Sequence, residues 1–434
     1  MLGIPLGLTS LFPKLLSENN GLQLVYSYLK FYLSRILILT SALTVLFLIL
    51  SGELSTLLVE SSDYYFVLFI ILLSAPFAVG YSLVEPLLKA KGEIKKIVKI
   101  SVISNIVPFI ILIPLVIYCG VNGVSYYLLL YGIFPFLLYI LFFNRKFVSD
   151  LISAKDILDT QKKKSIVKIG IVSLLSSFLF QFSIIYIRKF SISEFGIENT
   201  GIYQSLLSLS TNYFTLIYVF LANYSLPKLS SFAESNDITD EINNNFRLLL
   251  FIVIPVLTIV FCYRDFIIEI IFSSSFTDAS NYIIFQLIGD FFRAFAALFG
   301  LWLIPKEKLA IIITIDCIMN FLLLSLPYVF HRYFGFGIES LPMAYLVSFF
   351  AHCSFYFLYT RKNLNFRFTK QNLRSILFSL SALSTAFILS GFLKSWGYYI
   401  APLILITWVF FFLEAQERKS VTAKIISFLP KFNR

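Results

Sequence analysis

The chain has 434 residues, 58% of them hydrophobic and 14% charged, with a formal net charge of +11. A soluble domain carries about 25% charged residues, so this composition excludes an ordinary globular protein and points to the bilayer. The positive charge lies between apolar blocks, where topology and anionic lipid headgroups account for it, and no nucleic-acid partner is expected.

Backbone groups in hydrocarbon must be satisfied within a helix or a closed barrel. The apolar blocks here are about 20 residues long, too long and continuous for barrel strands, so an all-α integral membrane protein is predicted. The segment 1–16 is apolar but too short to cross, and ends at Pro13-Lys14. Twelve full spans follow, at 31–51, 64–84, 97–118, 122–143, 165–187, 201–226, 246–263, 281–304, 309–330, 338–359, 375–394 and 398–413. If the segment before the first span is cytoplasmic and sides alternate, 29 of the 35 lysines and arginines fall inside. Five fall outside (Arg188, Lys189, Arg264, Arg332 and Lys394), and Arg293 lies within a span. The first outer loop carries Glu53, Glu60 and Asp63 and no basic residue. This asymmetry predicts that both termini are cytoplasmic.

Cys119, Cys262, Cys317 and Cys353 show no metal or redox spacing, and the only histidines are His331 and His352. Neither a metal site nor a cofactor is expected. The longest connection, 144–164, is a lysine-rich linker too short for a catalytic domain, so a membrane-embedded glycosyltransferase or polymerase is disfavoured.

The two sides of that linker resemble each other. Lys91, Asn105 and Gly120 recur as Lys306, Asn320 and Gly335 at an offset of 215. Phe12-Pro13-Lys14-Leu15 parallels Leu226-Pro227-Lys228-Leu229, and Arg35 and Arg247 each open the next span. A parallel repeat of this kind builds two pseudo-symmetric bundles that work by alternating access. The expected division is an incomplete N-terminal bundle at 1–143, the cytoplasmic linker, a six-helix bundle at 165–359, and two extra helices with a basic cytoplasmic tail at 360–434. Pro13-Lys14 stands opposite Pro227-Lys228, so a complete first half is expected to have about 50 further residues, two crossings, ahead of Met1.

Gly201-Ile202-Tyr203-Gln204 followed by Pro227-Lys228-Leu229-Ser230, and Leu87-Leu88-Lys89-Ala90-Lys91-Gly92, resemble signatures of the polysaccharide-exporter branch of the multidrug/oligosaccharidyl-lipid/polysaccharide (MOP) superfamily. Gly289-Asp290-Phe291-Phe292-Arg293, continuing to Leu301-Trp302 and Pro305-Lys306, resembles the O-antigen and enterobacterial-common-antigen flippases in particular. The resemblance implies a flippase carrying undecaprenyl-diphosphate-linked oligosaccharide from the cytoplasmic to the periplasmic leaflet of the inner membrane, in lipopolysaccharide or related surface polysaccharide biosynthesis. It implies lipid-linked oligosaccharide and membrane lipids as partners, with the polysaccharide polymerase machinery nearby. Two other readings stay open: a drug or cation antiporter of the same superfamily, and a shortened remnant that does not transport.

A charge deep in a span marks a functional site by default. Asp290 and Arg293 are three residues apart on one helix face and so placed to pair; they are read either as a diphosphate contact held by its carboxylate or as a structural ion pair. Asp316 is read as an ion-coupling carboxylate, as a partner for Arg293, or as a polar group facing cavity water; Asp290 is a second candidate for coupling. Arg35 and Arg247 suit headgroup contact or snorkelling anchors. Arg188 and Arg264 sit at outer edges, where they ease release of an anion or form local pairs. Tyr203 and Gln204 suit a sugar or simple packing, and Asn105 and Asn320 suit bonds between helices.

Overall fold

The computed structural model describes residues 3–53, 65–142, 145–154, 158–232, 234–392 and 397–413. Glu60, Asp63, Lys394 and the tail 414–434 lie outside the described residues. All regular structure among the described residues is helical. In chain order the helices are α1 (Ile4–Leu16), α2 (Gly21–Ile49), α3 (Tyr65–Ala90), α4 (Ile94–Cys119), α5 (Val121–Phe142), α6 (Arg145–Ser153), α7 (Thr160–Phe220) and α8 (Leu226–Ser231). They continue as α9 (Ser235–Cys262), α10 (Arg264–Ile271), α11 (Ile283–Leu301), α12 (Leu309–Phe334), α13 (Ser340–Leu364), α14 (Lys370–Phe392) and α15 (Gly397–Phe412).

Nine of the described helices are long and apolar enough to cross a membrane. One of these, α7, has 61 residues, roughly 90 Å at ~1.5 Å per residue, far more than one crossing needs. Its backbone breaks at Gly196, with φ 81° and ψ 169°. An L side chain rarely adopts that conformation, so glycine ends one crossing and starts the next. The spans expected at 165–187 and 201–226 are therefore joined by a single broken residue, with helix running to either side of it in place of an open loop. With α14 and α15, the element order is consistent with twelve crossings. Large apolar side chains stand open on these helices, with Ile117 72% and Phe321 68% exposed, as a lipid-facing surface requires.

The chain forms two compact units: Met1–Leu175 with Leu226–Ser231 and Ile304–Leu309, and Ser176–Ser225 with Phe232–Leu303 and Ala310–Arg434. The core of the first gathers Leu8 and Phe12 of α1, Tyr28 and Tyr32 of α2, Leu83 and Leu87 of α3, and Ile166 of α7. The buried tyrosines satisfy their hydroxyls on backbone: Tyr28 bonds both the amide and the carbonyl of Asp159, and Tyr32 donates to the Lys163 carbonyl at 3.0 Å. Lys30 donates to the Ile152 and Ala154 carbonyls, fastening the end of α6 to α2. In the second unit, Tyr203, Leu207, Leu323, Leu341, Tyr345 and Phe349 form the corresponding core between α7, α12 and α13.

The internal repeat is written in the backbone. Gly92 and its counterpart Glu307 are both left-handed, at φ 69° and 54°, and so are Gly120 and Gly335, at 55° and 70°. Asn105 donates to the Ser101 carbonyl, and Asn320 to that of Asp316, the same bond one repeat later. Helices approach closely in both copies through one small residue: Gly132 of α5 meets Ser74 of α3, whereas Gly289 of α11 meets Tyr345 and Leu346 of α13. Small residues let helix backbones approach in a membrane, where lipid is as apolar as leucine.

A β-carbon at Gly289 would lie 2.5 Å from the Tyr345 ring and 3.2 Å from the Leu346 backbone. Gly289→Leu is expected to destabilise the second unit by roughly 1–3 kcal/mol or more, read as a lowered melting temperature in detergent. Gly52→Leu, where nothing lies within 4 Å, is expected to leave it unchanged.

Candidate functional site

The second unit buries a carboxylate. Asp290, on α11, is 1% exposed. An ionised carboxylate in an apolar interior is costly unless hydrogen bonds compensate it, and here three hydroxyls donate to it. Ser210 reaches both oxygens at 2.6 Å, Tyr345 of α13 reaches Oδ1 at 2.7 Å, and Tyr213 reaches Oδ2. Ser210 in turn accepts from Gln286 at 3.1 Å. Ser210, Tyr213, Phe214 and Tyr218 share one face of α7 because they are spaced by three and four residues.

Arg293 lies one turn from Asp290, near the middle of α11. The two meet through Tyr345: Arg293 Nη1 donates to the Tyr345 hydroxyl at 3.0 Å, and that hydroxyl donates to Asp290. The side-by-side pairing expected from their spacing is thus mediated by a tyrosine from a third helix. Nε of Arg293 donates to Tyr218 at 3.3 Å. Aromatic faces enclose the guanidinium, with Phe214 at 4.4 Å, Phe180 at 5.3 Å, Phe349 at 5.5 Å and Tyr218 at 5.6 Å. Such faces attract a desolvated cation without neutralising it. Among the described residues no acceptor meets Nη2, so part of the guanidinium fork stays available to an anion.

A second polar centre lies in the same unit. Asp316 Oδ1 of α12 accepts from the Tyr356 hydroxyl at 3.0 Å and sits 3.0 Å from Nε2 of His352, both from α13. Neither Tyr356 nor His352 was singled out from the sequence as a site residue, since each reads there as one more aromatic in an apolar span. Asn320, which caps this centre through the Asp316 carbonyl, also accepts from Ser183 of α7 at 2.8 Å.

The other candidates are dispersed. Tyr203 is in the core, its hydroxyl buried without a partner among the described residues. Gln204 accepts from exposed Arg188 at 3.0 Å. Arg264 bonds the Phe261 carbonyl and stacks on its ring. Arg35 stacks on Phe31 at 3.6 Å and is exposed; Arg247 reaches the Phe412 carbonyl and ring. Asn105 bonds only within its own helix among the described residues. In the first unit, a cavity of about 450 Å³ is edged by Lys14, Lys162, Lys164 and Lys168. Its carboxylates are engaged: Glu307 accepts from Ser165, and Asp159 accepts from the Gln161 amide.

The two polar centres belong to one copy of the repeat. At the offset of 215, Asp290, Arg293, Asp316, Tyr345 and His352 stand opposite Ala75, Ala78, Ser101, Leu130 and Leu137. The first copy folds with apolar or small residues at every one of these places, so the fold itself does not call for the charges.

A family model described as "Polysaccharide biosynthesis protein" matches residues 28–281, more than half of the chain. The chain belongs to this family. Its members are polysaccharide exporters of the MOP superfamily, as the sequence motifs implied. Over 197 residues the chain is 28% identical to the lipid III flippases of Escherichia coli K12 and Shigella flexneri, covering 45% of this chain and 47% of each relative. The match thus spans about half the length of these curated relatives. The fold is that of MATE-type transporters. An outward-facing multidrug resistance MATE family transporter of the MOP superfamily aligns with TM-score 0.74 at 15% identity, over 84% of each chain. A MOP transporter from Pyrococcus furiosus, whose binding pocket is described as having reversed polarity, aligns with TM-score 0.71 at 16% identity over 84% of each.

Tyr345→Phe removes the hydroxyl through which Arg293 and Asp290 meet. It takes one of three donors from the buried carboxylate, and hydrogen bonds to charged groups contribute about 1.5–3 kcal/mol each. The variant is expected to lose stability by an amount in that range, read as a lowered melting temperature in detergent. Leu341→Met, a volume-conserving change in the same core, should cost less than about 1.5 kcal/mol.

Proposed function

We propose that this chain moves diphosphate-linked oligosaccharide lipids from the cytoplasmic to the periplasmic leaflet of the inner membrane by alternating access, for surface polysaccharide assembly. The carrying observation is Arg293: a guanidinium in mid-helix, encased in aromatic rings, with a donor free for an anion. Its counterpart in the other copy is Ala78, which argues for a role beyond packing. Family membership and the partial likeness to lipid III flippases support the same substrate class. A drug or cation antiporter would present acidic groups to its cargo. Here Asp290 is closed off by three hydroxyls and Asp316 by Tyr356 and His352, which favours the anionic cargo.

In this reading, Arg293 contacts a phosphate in exchange for the Tyr345 and Tyr218 hydroxyls, and Asp290 balances the guanidinium charge when the site is empty. Arg293→Ala should lower export of lipid-linked sugar roughly ten- to a hundredfold, the equivalent of a lost charged hydrogen bond. Arg293→Lys should recover part of it, since an ammonium keeps the charge but not the planar fork. Both are measured at matched protein amounts; export at the parental level in both variants would reduce Arg293 to a structural role.

The proposed direction requires both termini in the cytoplasm, as the 29-to-5 distribution of basic residues implies. Reporter fusions after Arg434 are expected to be active only with a cytoplasmic reporter, and fusions within 53–63 only with a periplasmic one. A periplasmic C-terminus would reverse the assignment.

A further inference from the structure

The first unit contains a basic cavity of its own. It holds about 450 Å³, inside the ~300–1,000 Å³ range of small-molecule sites. Three stretches of chain meet around it: α1, the start of α7, and the turn at Pro305 and Glu307, which belongs to this unit. Lys14 comes from α1, and Lys162, Lys164 and Lys168 come from the beginning of α7. Gly7, Leu11 and Ile169 supply an apolar wall, with Gly7 and Ile169 buried. Positive-inside topology accounts for lysines near the ends of spans. It does not require them to converge from separate segments on one concavity.

The positive charge of this cavity is only partly compensated. Lys14 donates to the Pro305 carbonyl at 3.1 Å, a neutral acceptor that engages one of its three ammonium hydrogens. Burial, and then the charge of Lys306, pull the Lys14 pKa below its usual value, with Glu307 opposing them. An ammonium so placed is stabilised by a further anion. Lys162 is paired with Glu18 at 2.6 Å, whereas Lys164 and Lys168 form no ion pair among the described residues. The α7 helix begins here, and the positive end of its dipole adds to the lysines. Glu307 stands in a left-handed turn, φ 54°, where the other copy of the repeat has Gly92. A side chain is uncommon in that conformation. Here its carboxylate accepts from Ser165 of α7 at 2.6 Å and lies within electrostatic reach of Lys14. The other acidic group of the lining, Asp159, accepts from the Gln161 amide at 2.8 Å.

We propose that this cavity is a second anion site, for paired phosphates at the membrane boundary, with Lys14, Lys164 and Lys168 as its donors and Glu307 as the charge that balances them when no anion is bound. Paired phosphates present several adjacent oxyanions. Lysine meets them as a point charge with rotatable donors, so ammonium groups converging from two helices need no fixed fork geometry. The apolar wall beside the lysines suits phosphates carried on a lipid. Two sources bear this chemistry: the diphosphate headgroup of the proposed cargo, and the two phosphates of an anionic phospholipid such as cardiolipin. On the proposed topology the cavity is cytoplasmic, the side on which cargo is taken up. The inference goes beyond the proposed function, which places one anion contact at Arg293 in the second unit, and it stands whichever lipid supplies the phosphates.

The probe is inorganic diphosphate, titrated without divalent cations into the purified protein in phosphatidylcholine nanodiscs. At the dielectric of water, a unit charge ~6 Å from a singly charged anion changes its affinity roughly threefold. The triple variant Lys14→Gln, Lys164→Gln, Lys168→Gln is therefore expected to weaken Kd more than about tenfold. The same change at the exposed Lys95, Lys99 and Lys370 should leave Kd near its parental value. Glu307→Gln keeps an acceptor for Ser165 and removes one negative charge, so it should tighten Kd roughly threefold; a merely structural Glu307 gives no tightening. In the unaltered protein, diphosphate should protect Lys14, Lys164 and Lys168, but not Lys95, from acetylation read by mass spectrometry. No binding, a Kd indifferent to the triple change, no tightening in Glu307→Gln, or no protection of these three lysines overturns the site. Displacement of diphosphate by a short-chain isoprenyl diphosphate monosaccharide supports the cargo as the source, and displacement by cardiolipin added to the discs supports the bilayer. Displacement by neither overturns the site as one for lipid phosphates. Binding of the sugar lipid to a protein that shows no lysine site leaves the cargo reading intact. Occupation of the lysine site by cardiolipin, with the sugar lipid bound nowhere, overturns the cargo reading and supports the site.

Discussion

The second unit is organised around the cost of burying the Asp290 carboxylate. Three hydroxyl donors offset that cost, and they come from two other helices: Ser210 and Tyr213 from α7, Tyr345 from α13. Satisfying one side chain on α11 therefore sets the rotation and axial register of both neighbours. Gly289, the adjacent residue, removes the β-carbon that would otherwise hold Tyr345 away. Charge and close packing thus depend on each other: without the glycine the tyrosine does not reach, and without the tyrosine the carboxylate lacks a donor.

Arg293 inherits its environment from this arrangement. Tyr345, already held by Asp290, offers the oxygen that Arg293 bonds, and the α7 face that brings Ser210 also brings Phe214 and Tyr218. The carboxylate and the guanidinium share a hydroxyl instead of touching, so the cation keeps its charge and part of its donor fork. A direct bidentate pair would have consumed both. An anion-handling site needs this condition, and a purely structural ion pair does not.

The repeat separates scaffold from chemistry. Both copies keep the left-handed turns at Gly92 and Glu307, and at Gly120 and Gly335, together with the asparagine bond to the carbonyl four residues back. Both bring two helices together through a single small residue, on opposite partners. The ionisable groups appear in one copy alone, against Ala75, Ala78 and Ser101 in the other. Charges in a membrane interior are retained against a free-energy cost, and the first copy folds without them.

Much of the architecture was legible in the residues because the bilayer is a demanding solvent. Length and continuity of apolar blocks dictate helices, and the depth of Asp290, Arg293 and Asp316 along them marks these residues as unusual. The offset of 215 likewise exposed the repeat, since matched turns survive as matched residues. Partner choice was not legible. Helical spacing places Asp290 beside Arg293, yet the hydroxyl that joins them comes from Tyr345, 55 residues from Asp290. Asp316 finds His352, 36 residues away, and not Arg293. Tyr203, which by type suits a sugar, lies in the core. Local sequence decides which face of a helix a residue occupies, through the 3.6-residue period. Only the packing of one helix on another decides what that face meets, because such contacts depend on rotations and small-residue gaps that no single segment encodes.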